Sequence, residues 1–437
     1  MIKQNLTPPN NNAFSSFLPL RTKDKHYKFC WNSVLGYFVH LLYNKSLFTK
    51  NIDDFKGLCE KSFSKKLESD DAGLWNIIDK MYFHNDELFK ISPELLIFKA
   101  TKEELDANSR KLGDMYAGIL NGFTVESSSV ANLNFFEREI KNEFDKFHVS
   151  GKKEAPKVAQ TYLPFISEYF KKDLQFLNTK PDYLLNNFNE VIRLYGFLYI
   201  SQMALNIKTW AYGEPTSKPC FFIVDNERAS EERSQVKNYG YDQLHDYMEY
   251  LYPYLFMNEA LQEKNNVKPL WKLFEEIKDS DIDGLNQFGE EFIADRTERK
   301  WYNTELNWQH SEDKKIILTQ LLEFSHAQFD RKKGRLVTYN STAVKGTLRN
   351  ILDPFIQNRR RGGNVLAFNQ DYIVLLTNIV IGERDKLRFH EVIKEFEARG
   401  VYFDKQSQQN LVDFYERMGN VERMSDSGDA VYVRPTV

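Results

Sequence analysis

Apolar residues recur every three or four positions along most of this 437-residue chain, and that period predicts helix over strand. From Tyr27 to Phe147 the spacing predicts helices over Trp31–Leu42, Ile52–Phe63, Gly73–Phe83, Lys102–Ile119 and Ala131–Phe147, with turn formers between them. A second series covers Thr161–Asn178, Pro181–Leu205, Tyr241–Gln262 and Lys268–Lys278, while the short apolar run from Pro219 to Asp225 fits a strand. The aromatic stripe of Tyr183, Phe188, Tyr195, Phe197 and Tyr199 follows helical spacing and is expected to be core, not a base-stacking platform.

Punctuation divides the chain. Pro8, Pro9 and three consecutive asparagines predict an irregular arm over 1–23, and Gly151, two lysines and Pro156 mark a linker. The expected parts are that arm, a helical domain over 24–148, a second over 157–330, a basic loop region over 331–365 and a C-terminal domain over 366–437.

The C-terminal domain carries the most specific pattern. Leu387, Phe389, Val392, Ile393 and Phe396 give one helix that Gly400 ends. Asp404 caps a second, whose apolar face is Leu411, Val412, Phe414, Tyr415 and Met418 and which Gly419 stops. Val421 and the run Ala430 to Val433 then read as two strands joined by the turn formers Ser425 to Asp429. Helix, turn, helix and hairpin predict a winged helix-turn-helix, so the expected fold class is mainly α: a multi-domain helical protein with a C-terminal winged helix. Such a module grips DNA or another protein. In DNA-binding examples the start of the second helix meets base edges, which places Lys405, Gln406, Ser407, Gln408 and Gln409 as candidate contacts.

Charge complicates that expectation. Residues 381–437 hold nine basic and eleven acidic side chains, so the module alone repels a phosphate backbone. Residues 331–365 reverse the sign: Arg331, Lys332, Lys333, Arg335, Lys345, Arg349, Arg359, Arg360 and Arg361 stand against Asp353 alone. Arg359 to Arg361, followed by Gly362 and Gly363, are expected to form a mobile basic loop that approaches phosphates closely. Arg331, Lys332, Lys333 and Arg335 complete the candidate DNA-binding set.

Other composition narrows the field. The formal charge of −3 gives no global preference for nucleic acid or membrane. Cys30, Cys59 and Cys220 are odd in number and far apart, which fits a reducing compartment and no disulfide or zinc framework. With no export signal and no apolar run long enough to span a bilayer, a cytoplasmic protein with no membrane partner is expected.

Motif searches find no phosphate-binding GxxxxGK[ST], no GxGxxG, no HExxH and no GxSxG. His390 and Glu391 lack a second histidine, and the eight histidines show no metal-ligand spacing. Pro181-Asp182 and Glu190 hint at a nuclease, yet Ile192 stands where the nuclease pattern needs a lysine. A non-enzyme without cofactor or metal is therefore expected.

The run Phe403 to Gln409, then Phe414-Tyr415-Glu416-Arg417 and the closing NVERMSDSGDAVYVRPTV, resembles the DptG (DndG) family of DNA phosphorothioation-dependent restriction proteins. The specific match covers roughly the last seventy residues. The resemblance implies an antiviral defence component that works with ATPase-like and helicase-like partners to restrict DNA lacking sulfur in its backbone; with the winged helix and basic loop, the expected role is a non-catalytic DNA-binding and scaffolding subunit of that system. The alternative is a protein–protein adaptor whose winged helix docks a partner and does not touch DNA.

Overall fold

The computed structural model describes residues 2–3, 5–13, 18–21, 23, 25, 28–45, 51–66, 72–100, 106–147, 161–227, 233–263, 267–330, 335–424 and 430–437. The expected linker over 149–156, the turn 425–429 and Arg331, Lys332 and Lys333 lie outside these residues. The protein is mainly helical and forms two compact units, one of Met1–Lys28, Ala159–Tyr169 and Arg193–Thr436, the other of Phe29–Val158, Phe170–Ile192 and Val437. No helix among the described residues is long and apolar enough to cross a membrane.

The smaller unit contains α1 (Trp31–Tyr43), α2 (Ile52–Lys66), α3 (Ala72–Tyr82), α4 (Ala107–Leu120) and α5 (Phe135–Phe147). It also takes most of α6 (Pro164–Asn178) and the first part of α7 (Pro181–Asn206). Phenylalanines supply its core. Phe55 meets Phe98, Phe144 and Phe147, while Phe38 meets Tyr116, Phe170 and Phe188, in the offset and edge arrangements that ring quadrupoles favour. The buried carboxylate of Glu94 is matched by Lys141 at 2.9 Å, so its charge is not left alone in the core.

Besides Met1–Lys28 and the start of α6, the larger unit holds the rest of α7 and continues through β1 (Phe221–Val224), α8 (Ser234–Tyr239), α9 (Tyr241–Met248), α10 (Leu251–Ala260), α11 (Leu270–Glu276), α12 (Ile282–Glu298) and α13 (Lys314–Ala327). Then come α14 (Arg335–Asn350), β2 (Ile356–Asn358), β3 (Asn364–Phe368), α15 (Gln370–Ile381), β4 (Leu387–Arg388), α16 (Phe389–Ala398), β5 (Tyr402–Phe403), α17 (Lys405–Met418), β6 (Val421–Met424) and β7 (Ala430–Val433). Four of the five residues of the expected aromatic stripe are core: Phe188, Tyr195, Phe197 and Tyr199 are buried along α7, while Tyr183 is half-buried.

Two corrections concern the basic segment. Residues 335–350 are helix and not loop, and Arg359 to Gly363 form the turn of a β-hairpin between β2 and β3. The helix forms because Ala343, Val344, Thr347 and Leu348 bury one side while Lys345 and Arg349, four residues apart, keep to the exposed side. Leu387, expected in the first helix of the tail, belongs instead to the short strand β4.

A four-stranded sheet in the order β2-β3-β1-β5 was not expected beyond the single strand at β1. β1 runs parallel to β3 and to β5, and β2 is antiparallel to β3. All four residues of β1 are buried because helices cover both faces, as central parallel strands require. Phe221 and Ile223 pack with Val236 of α8 on one face, while Phe222 meets Phe197, Phe368 and Phe403 on the other. From α15 onward the order is helix, strand, helix, strand, helix, strand, strand, in which β5 joins the four-stranded sheet and β4, β7 and β6 form an antiparallel sheet in the order β4-β7-β6.

Candidate nucleic-acid interface

The two pieces that the sequence singles out, the arginine turn and the start of α17, are both tied to the residues that follow β1. The chain leaves β1 through α8 to α14 and the edge strand β2 before it reaches β3, then crosses by α15, β4 and α16 to β5 on the other side of β1. Tyr372 of α15 and Phe396 of α16 pack on Phe368 and Phe403, the face opposite α8. The carboxyl ends of β1 and β5 therefore meet where the strand order reverses, the place at which α/β sheets open a crevice.

Here the protein's own charges fill that place. Asp404 caps α17 by accepting from Ser407 N at 2.9 Å. Arg233 donates to both oxygens of Asp404, through Nε at 2.8 Å and through Nη2, and its Nη1 donates to Glu227 Oε2 at 2.6 Å. Ser407 Oγ accepts from Arg233 Nη2 at 2.6 Å and donates to Glu227 Oε2 at 3.0 Å. Glu227 Oε1 in turn accepts from Val224 N at 2.9 Å, fixing the loop to the end of β1.

Burial sets the electrostatics of this group. Desolvation pushes the Asp404 carboxyl up, but hydrogen bonds from Arg233 and the Ser407 N–H, with the Arg233 charge, outweigh it and hold it below the usual carboxylate range. Arg233 is pulled down by burial and pushed up further by Asp404 and Glu227, so it stays charged. Among the described residues one buried cation thus bridges two carboxylates and ties α17 to the end of β1.

The candidate contacts divide accordingly. Ser407 is fully buried, which corrects its expected place against base edges. Gln408 is half-buried and donates from Nε2 to Phe403 O at 2.8 Å. Lys405, Gln406 and Gln409 are exposed, Gln409 reaching Asp413 at 3.0 Å. Only those three of the five face solvent.

In the basic segment, Arg359 is half-buried and its Nη2 donates to Asp225 O, while Arg360 is exposed. Lys345 and Arg349 are exposed on α14. Among the described residues none of these four cations pairs with a carboxylate. The side chains of Arg335 and Arg361 lie outside the described ones, as do Arg331, Lys332 and Lys333.

Cations of the tail behave differently. Lys386 and Arg434 both bind Glu422, Arg423 binds Glu416, and Arg399 binds Glu395 at 2.8 Å. Four of the tail's nine cations are thus paired with acids of the tail, whereas none of the four described basic side chains of 331–365 is paired with a carboxylate among the described residues.

Asp182 and Glu190, the pair that hinted at a nuclease, sit eight residues apart on α7, about 12 Å along its axis. Carboxylates so spaced do not share a metal ion. Among the described residues no group of three histidines, cysteines or acids is placed to hold one.

Glu227 and Arg233 carried no signal in the sequence. They lie 171 or more positions from Asp404 and Ser407 and belong to no local motif. No known protein family and no curated protein matches the chain.

Proposed function

We propose that this chain is a non-catalytic DNA-binding and scaffolding subunit of a phosphorothioation-dependent DNA restriction complex, acting beside ATPase-like and helicase-like partners in the cytoplasm. It grips duplex DNA by its phosphates and does not read bases from the start of α17. The observation that carries this proposal is that Lys345, Arg349, Arg359 and Arg360 make no ion pair among the described residues, in a segment whose one acid is Asp353. Phosphate contacts supply affinity without sequence information, and an uncompensated basic segment is the surface that makes them.

The helices α16 and α17 followed by the hairpin β6–β7, with β4 paired to β7, support the winged helix expected over 366–437. In that assignment α17 is the recognition helix. Its first turn is held on the four-stranded sheet through Asp404 and Ser407, which favours a phosphate grip over groove reading. The place in a restriction system rests on the resemblance of the last seventy residues.

The test is binding of duplex DNA by the purified full chain, with Arg359, Arg360 and Arg361 changed together to Ala and, separately, Lys345 with Arg349. Each set should weaken binding and flatten its salt dependence, the slope losing about one for each phosphate contact removed. Unchanged binding by both variants defeats the assignment.

The self-paired charges of the tail favour a second role, an adaptor whose winged helix docks a partner protein. Absence of any DNA shift by the wild type, with partner capture lost on changing Phe414 or Glu422, selects that role.

A further inference from the structure

The turn that follows α7 carries the most exposed large apolar side chain among the described residues. Tyr212 is 77 % exposed, and Ile316 on the first turn of α13 is 49 % exposed. Both belong to one corner of the larger unit. Lys315 Nζ lies 4.6 Å from the centre of the Tyr212 ring, and Lys314 Nζ donates to Phe274 O at 2.8 Å and to Ile277 O at 3.1 Å, which seats the start of α13 on the end of α11. Trp210, two residues before Tyr212, meets Phe274 edge-on at 5.2 Å. Beside Tyr212 the packing leaves a gap: Trp210, Pro215, Trp271, Met203 and Tyr254 border a cavity of about 20 Å³, room for one methyl-sized group. Pro215 and Trp271 are only half-buried, so this apolar lining reaches solvent.

A flat ring, an aliphatic side chain and an apolar cavity in one corner are what protein contacts use as an anchor. The surrounding charge selects the partner. Glu214, Glu275, Asp279, Glu312 and Asp313 are exposed around the corner, against exposed Lys278 and Lys315, and none of the five acids pairs with a cation among the described residues. Lys315 is already held over the Tyr212 ring. Such a rim repels phosphates, which argues against nucleic acid here, and it attracts the lysines and arginines of a protein.

We infer that this corner docks a partner protein through a basic segment that carries a small aliphatic side chain. The aliphatic group enters the cavity beside Trp210 and Trp271, Tyr212 and Ile316 cover its flanks, and flanking lysines or arginines meet the five acids. The surface deepens the scaffolding part of the proposed function by naming the partner's chemistry, and it rests on that part and not on DNA binding.

The experiment titrates the purified full chain with a short fluorescent peptide in which valine follows every pair of lysines, and with two controls, one with glutamate for lysine and one with serine for valine. The lysine–valine peptide should bind about tenfold tighter than either control, with an affinity that falls as salt rises. Tyr212→Ser with Ile316→Ser should weaken it about tenfold, and so should Glu275→Lys with Glu312→Lys, which also flattens the salt dependence. All four side chains are exposed, so both double variants should melt within about 2 °C of the wild type. Equal binding of the three peptides, or an affinity that neither double variant changes, overturns the surface. Self-association of the wild type that the Tyr212→Ser, Ile316→Ser variant abolishes gives the corner to a second copy and overturns the partner; duplex binding lost in that variant gives it to DNA and does the same. A wild type that binds no duplex but still selects the lysine–valine peptide supports the surface and removes the phosphate grip.

Discussion

Arg233 grips Asp404 side-on, two nitrogens to two oxygens, across 171 positions of sequence, and so the residue that caps α17 is also the residue that fastens that helix to the end of β1. Both side chains are nearly buried. Removing Asp404 leaves Arg233 with Glu227 as its carboxylate partner, so what is lost is the cap and the two charge-assisted hydrogen bonds. Asp404→Ala should therefore cost about 2–3 kcal/mol in the unfolding of this unit, read by chemical denaturation. Asp404→Asn, which keeps the cap, should cost less. A cost below about 1 kcal/mol for the alanine variant would show that the pair is not holding the helix.

The same pair fixes an acid dependence. Asp404 titrates below its ordinary range in the fold, so its contribution to stability is complete above the unfolded value of about 4 and is lost as pH falls through the lower folded value. The stability gap between wild type and Asp404→Asn should be constant at neutral pH and shrink below about pH 4. Denaturation midpoints at pH 7, 5 and 3 measure it. A gap that widens on acidification contradicts the sign.

Gly400 ends α16 with φ +90°, and a Cβ there would come within 2.3 Å of Gln202 Nε2. Gln202 is fully buried and locked at both ends of its amide, donating to Lys218 O and accepting from Lys218 N. It has nowhere to move. Gly400→Ala should destabilise by at least about 2 kcal/mol, combining backbone strain with the clash. A neutral result by thermal melting would place Gln202 elsewhere.

The tail was largely legible in the sequence because its signals are local. Gly400 and Gly419 take the positive φ that their positions imply, and Asp404 caps α17 as expected. Periodicity also marked α1, α2, α3, α6 and α7 to within a few residues. The four-stranded sheet was not legible, because β5 is two residues long and finds β1 some 180 positions away, with no alternation to reveal it. For the same reason Ser407 looked like a solvent-facing helix residue. Its burial depends on Glu227 and Arg233, whose nearness is a product of the fold alone. The charge of residues 335–350 points to loop, yet Val344 and Leu348 bury a helical face beneath Lys345 and Arg349.

The most direct measurement is an electrophoretic-mobility titration of the purified full-length chain with duplex DNA at 50 and 200 mM salt. Four or five phosphate contacts predict a loss of affinity on the order of 10²-fold between the two conditions, with no dependence on DNA sequence. No shift at either salt, or an affinity indifferent to salt, contradicts a protein that holds DNA by its phosphates.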